Sequence, residues 1–133
     1  MLWVQLVTVL AVIQFAVFGF LVGSARQKHG VQAPAMSGHE VFDRYFRVHM
    51  NTLETLVLLL PAMWVSAQYW PPYWSAALGA VYLVGRQLYL RGYVADPKKR
   101  GAGYGLSFMP AAVMAIAALI GIVRALLHGA GAA

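Results

Sequence analysis

The 133-residue sequence has no cysteine, and only 11% of its residues are charged, four acids against ten lysines and arginines. Without cysteine there are no disulfides, no thiolate-bound metal and no nucleophilic sulfur belonging to the protein itself. The scarcity of charge excludes an ordinary soluble domain, because 61% of the chain is hydrophobic, more than a single domain of this size can hide from water. The formal charge of +6 is not gathered into a basic unit with interleaved aromatics, so nucleic acid is not an expected partner. His29, His39 and His128 are scattered without metal-ligand spacing, and no metal is expected. There is no internal repeat, and the small-residue tail from Gly129 to Ala133 should fray.

What the chain does have is long apolar runs broken by short polar ones. This pattern predicts an all-α integral membrane four-helix bundle in one domain, 1–133, with spans at about 2–24, 40–69, 73–93 and 104–126. The first stretch lacks the charged start of a cleaved signal peptide and reads as a retained helix. Ser37 and Glu40, three apart before an aromatic run, have the spacing of a capping box at the start of the second helix. Pro61 should bend that helix. From Thr55 to Gly85 there is no charge, and Trp70-Pro71-Pro72-Tyr73-Trp74 divides this stretch with a turn. Trp64, Trp70 and Trp74 are expected to face lipid or the membrane interface.

Arg26, Lys28, Lys98, Lys99 and Arg100 fall in the first and third loops, whereas the second loop has no Lys or Arg. The positive-inside rule puts both charged loops on the cytoplasmic side, with both termini opposite. Short loops of this kind fit a bacterial inner membrane.

Arg44, Arg47, Asn51 and Glu54 recur at spacings of three and four, so they form one stripe along the second helix. Arg86, Tyr89 and Tyr93 repeat the pattern on the third, with Tyr82 one turn earlier. A charge at the bilayer centre costs at least ~2.5–3.5 kcal/mol, so these stripes must face protein or water. One reading is an ion-pair ladder that holds the helices together. The other is a cationic cavity with one acid, suited to a small anionic ligand that carries an ammonium group: guanidinium forks for its carboxylates, Glu54 for its amine.

The string from Phe42 to Glu54, with Arg44, Arg47, Asn51 and Glu54, resembles the second-helix signature of the MAPEG superfamily, the membrane-associated proteins in eicosanoid and glutathione metabolism. Gly85-Arg86-Gln87-Leu88-Tyr89-Leu90-Arg91-Gly92-Tyr93, followed by Asp96-Pro97-Lys98-Lys99-Arg100, resembles the third-helix signature, and the whole is most similar to the microsomal glutathione transferase 3 branch. The resemblance implies a homotrimer with glutathione held between neighbouring subunits near the cytoplasmic face. By position it implies that Arg26, Arg47, Asn51, Glu54, Tyr89 and Tyr93 bind glutathione and that Arg100 stabilises its thiolate. Thr55 stands where several family members have a tyrosine, and Gln27 where a second loop cation is found. His49 replaces a glutamine, and its imidazole can still donate to a carboxylate.

The implied activity is that of a glutathione S-transferase and glutathione peroxidase acting on hydrophobic electrophiles or lipid hydroperoxides drawn from the membrane lipid. Glutathione would be the cosubstrate and no metal would be needed. Two other classes stay open at this stage: a non-catalytic lipid-binding scaffold of the same superfamily, and a small proton-coupled exporter built on Glu54.

Overall fold

A computed structural model describes residues 1–130; the part of the tail expected to fray that follows Ala130 lies outside them. Four helices run through the described residues: α1 Leu2–Lys28, α2 Glu40–Tyr69, α3 Pro72–Ala95 and α4 Gly101–Ala130, with a single 3-10 turn, Pro97–Arg100, leading into α4. The all-α four-helix bundle expected from the pattern is what forms.

The helix ends follow local chemistry. α1 runs a turn past the expected boundary, since Ala25-Arg26-Gln27-Lys28 are good helix formers and its basic last turn suits the helix dipole. It stops at Gly30, whose φ of 67° needs no Cβ. At the start of α2 the expected Ser37–Glu40 box does not form. Gly38, at φ 147°, bends the backbone between Ser37 and the helix, and His39 becomes the cap, its Nδ1 accepting the Val41 N–H at 3.1 Å. The chain passes through Pro61 without leaving the helix. Trp70-Pro71 is the turn between α2 and α3, with Pro72 at the first helical position, where its missing N–H costs nothing.

α1, α2 and α4 are each long and apolar enough to cross a membrane. α3 has the length, 24 residues or about 36 Å, but Arg86, Gln87, Arg91 and its tyrosines lower its apolarity. α3 packs chiefly on α4, and α2 contacts the other three helices. The shared core includes Val4 and Ala11 of α1, Leu59 and Met63 of α2, Tyr82 of α3, and Ala111 and Met114 of α4. Leu2, Phe20, Val57 and Leu119 point outward, as lipid-facing side chains must.

Two of the three tryptophans expected at the lipid boundary are half-buried, each with its indole N–H bonded to a neighbouring helix. Trp64 Nε1 donates to Thr8 Oγ1 at 2.9 Å and Trp70 Nε1 to the Ala117 carbonyl at 2.8 Å. An indole N–H in an apolar setting needs a partner, and a neighbouring helix supplies one. Trp74 remains exposed.

Glycines set how closely α3 and α4 approach. A Cβ on Gly85 would lie 2.7 Å from both the Leu106 carbonyl carbon and the Ser107 nitrogen, and a Cβ on Gly103 would run into the Tyr89 backbone. Only bare backbone fits at these crossings. The resulting contact brings Ser107 to Arg86.

Candidate functional site

The polar stripe on α2 divides into residues that serve the fold and residues left free. Arg44 is a cap: its Nη1 donates to the Val94 carbonyl at 2.9 Å and to Ala95 at 3.3 Å, and its Nη2 pairs with Glu40. It thereby satisfies carbonyls that the end of α3 leaves without partners. Arg44–Glu40 is the one ion pair among the described residues, so the stripes are not an ion-pair ladder. Arg47 and Glu54 stand exposed on the same face, and Asn51 is half-buried between them.

On α3, Arg86 is completely buried. Its Nη1 donates to Asn51 Oδ1 at 2.8 Å and to Thr52 Oγ1 at 3.3 Å, and its Nη2 to Ser107 Oγ at 2.7 Å. The guanidinium also lies over the Tyr89 ring, 4.3 Å from its centroid. Tyr89 and Tyr93 are neighbours, with ring centroids 5.6 Å apart. Arg44 joins the start of α2 to the end of α3, and the 3-10 turn folds back on Gly92, so Arg47 and Arg100 lie at the end of the bundle that carries Tyr89 and Tyr93.

The 3-10 turn is locally determined. Asp96 caps it by accepting the Lys98 N–H at 3.1 Å, with Pro97 next in line. The turn then folds back so tightly on α3 that a Cβ on Gly92 would sit 2.8 Å from the Lys99 carbonyl oxygen. Arg100 is exposed, its Nη1 bonded to the Pro97 carbonyl at 3.3 Å.

Two of the predicted residues lie elsewhere. His49 is roughly 160–200° around α2 from Arg47 and Asn51, stacked on Phe15 of α1 at 4.4 Å. Arg26 is tied to the first loop, donating to the Ala35 carbonyl at 2.7 Å and covering the Phe42 ring at 4.6 Å. Thr55 is buried and donates to the Asn51 carbonyl at 2.8 Å. A groove of about 650 Å³ on the outer face of α1 is lined by Gly19, Gly23 and Gln27 rather than by the stripe.

The MAPEG family pattern matches residues 4–120, and both stripes and the 3-10 turn fall inside it. The chain belongs to the MAPEG family. Similar proteins include an uncharacterized protein of Synechocystis, 42% identical over 92% of this chain and 90% of its own length. The human microsomal glutathione S-transferase 2 is 34% identical over 91% of this chain and 82% of its own length. The leukotriene C4 synthase of Cavia porcellus is 34% identical over 93% of each. The transferases among these relatives are named as type 2, whereas the motifs suggested the type 3 branch.

For a MAPEG chain the informative outcome is which polar residues are already engaged. Arg44 and Arg86 are consumed by the fold, while Arg47, Arg100, Glu54, the Asn51 amide nitrogen and the two tyrosines remain available. That set has two guanidiniums for anionic groups, a carboxylate for an amine, and hydroxyl and amide groups that donate hydrogen bonds. Sequence reasoning missed Ser107, Thr52 and the burial of Arg86. Ser107 could have been noticed as an isolated hydroxyl within the apolar run of α4. Among the described residues there is no group of three or more side chains suited to hold a metal ion.

Proposed function

We propose that this protein is a membrane glutathione S-transferase with glutathione peroxidase activity. The carrying observation is that the start of α2, the end of α3 and the 3-10 turn meet, which sets Arg47, Tyr89, Tyr93 and Arg100 at one end of the bundle, with Asn51 and Glu54 continuing the face of Arg47. Glutathione has two carboxylates, one ammonium group and a thiol, and this set matches each of them. Arg47 and the Asn51 amide take carboxylate oxygens, Glu54 takes the ammonium, and Tyr89 and Tyr93 complete the hydrogen bonding. Arg100 faces the sulfur. The names of the relatives, glutathione S-transferase above all, support the same reading.

The chemistry asked of the protein is modest. A thiol becomes a good nucleophile on ionisation, and a nearby guanidinium lowers its pKa from the free value of ~8.5. The thiolate attacks an electrophilic carbon presented from the lipid, forming a C–S bond as the leaving group departs. With a hydroperoxide it takes the terminal oxygen, releasing the alcohol. The resulting glutathione sulfenic acid is then reduced by a second glutathione to disulfide and water.

Arg26 and His49, on other faces of the chain, join the site if a second copy brings them to it, so a homotrimer with shared sites is part of the proposal. α3 is then the fourth span, its polar side turned inward, and the loops holding Arg26 and Arg100 are cytoplasmic.

The test is glutathione binding to the purified protein in detergent, by calorimetry. The parent should bind, and Glu54→Gln should weaken binding about tenfold or more, the loss of a charged hydrogen bond, with unchanged thermal stability because Glu54 makes no ion pair among the described residues. A parent that does not bind glutathione at millimolar concentration overturns the proposal.

A further inference from the structure

Arg86 is a puzzle in electrostatics. Among the described residues it is the largest completely buried side chain, and no carboxylate of theirs lies within ion-pair distance of it. Burying a charge costs several kcal/mol unless it is paired or fully hydrogen-bonded. Here part of the cost is offset by Asn51, Thr52, Ser107 and the Tyr89 ring, while Nε has no hydrogen-bond partner among the described residues. Two of those four, Asn51 and Tyr89, belong to the set assigned to glutathione.

We infer that Arg86 is a positioning residue, which fixes the Asn51 amide so that its nitrogen is presented to a carboxylate of glutathione. The inference rests on the function proposed above. Asn51 Oδ1 accepts from Arg86 Nη1, and a guanidinium has only donors to offer. Turning the amide over would set N–H against N–H beside a buried charge, so a single orientation survives. In that orientation Asn51 Nδ2 is the amide atom not turned to Arg86, and it donates no hydrogen bond among the described residues. A carboxylate needs donors of this kind. Had the amide been free to turn, half of its orientations would have offered it an oxygen.

Ser107 extends the arrangement to α4. Its hydroxyl donates to the Gly103 carbonyl at 2.8 Å, which leaves its lone pairs to accept from Arg86 Nη2. Thr52 is set in the same way, donating to the Val48 carbonyl at 2.7 Å and accepting from Nη1. Both hydroxyl partners of the guanidinium are therefore fixed as acceptors by their own helices. Arg86 also covers one face of Tyr89, holding that ring beside Tyr93.

A double-mutant cycle on glutathione affinity tests this. Asn51→Ala should weaken binding about tenfold to hundredfold, the range for a lost hydrogen bond to a charged group. Arg86→Gln should do nearly as much in the parent but cost less than about threefold when Asn51 is already alanine. Arg86→Lys should restore part of the loss. At saturating glutathione the turnover of an aryl halide should stay within about threefold of the parent, because Arg86 acts on binding and not on the thiol. Ser107→Ala, which keeps the buried charge but removes the α4 anchor that aims the guanidinium at Asn51, serves if Arg86→Gln does not fold. It should weaken binding by about threefold to tenfold, again with the effect lost in Asn51→Ala. Equal losses in both backgrounds mean a purely structural Arg86 and overturn the inference alone. A parent that does not bind glutathione overturns the function and the inference together.

Discussion

Replacing Gly85 with alanine is a single-methyl perturbation aimed at the α3–α4 contact. Elsewhere in a helix the change would stabilise by roughly 0.5–1 kcal/mol, because alanine loses less backbone entropy. At Gly85 the new Cβ would lie 2.7 Å from two backbone atoms of α4, which cannot rotate aside, so the helices must separate by most of an ångström to reach ordinary contact. Overpacking of this kind costs typically ~1–3 kcal/mol. The same displacement stretches the 2.7 Å bond from Arg86 to Ser107 beyond useful range, at ~1.5–3 kcal/mol for a charged hydrogen bond. The net expectation is a destabilisation of about 2–5 kcal/mol. The assay is reversible denaturation in mixed micelles, with Gly105→Ala as control, since nothing lies within 4 Å of a Cβ there. Gly105→Ala should be neutral or slightly stabilising. If Gly85→Ala is equally silent, the close contact of α3 with α4 is not what holds Arg86 in place.

Arg44→Ala should free the carbonyls of Val94 and Ala95 and destabilise the end of α3 by about 1–3 kcal/mol. Hydrogen exchange would report this as faster exchange in the last turn of α3 and the following 3-10 turn, with the rest of the bundle unchanged. Gly92→Ala places a Cβ 2.8 Å from the Lys99 carbonyl and should displace the turn that holds Arg100. Its pH–rate profile should move toward that of Arg100→Ala while glutathione affinity falls less than threefold, a split that checks whether the turn aims Arg100.

Most of the fold was legible because membrane insertion writes itself into the sequence: the apolar runs, the Trp-Pro-Pro turn and the two polar stripes located every helix. Ends were less so. A capping box at Ser37 and a histidine cap at His39 differ only in how Gly38 turns, and spacing does not carry that. Within the stripes the periodicity placed Arg44 and Arg47 on one face, but it could not say that Arg44 would cap α3 while Arg47 stayed free. Arg86 has the same spacing as a ligand residue, and the periodicity carries no sign of the partners on α2 and α4, Asn51, Thr52 and Ser107, that bury it. The hydrogen bonds of Trp64 and Trp70 were not legible, because an indole suits a lipid interface and an interhelical hydrogen bond equally well. The separation of His49 and Arg26 from the other site residues follows from three-dimensional placement, and a linear motif does not reveal which copy of a chain completes a site.

The most direct test of glutathione activation is thiolate ultraviolet absorbance on titrating the protein–glutathione complex with base. With Arg100 in place the bound thiol should ionise at least one pH unit below ~8.5, equivalent to ~1.36 kcal/mol in favour of the thiolate. The thiolate band should therefore be present at neutral pH and fade as pH falls through the lowered pKa. In Arg100→Ala the transition should move up toward the free value, and the conjugation rate should need correspondingly higher pH. Glutathione that binds but ionises at its free pKa in the parent, or a transition that Arg100→Ala leaves in place, would contradict the account.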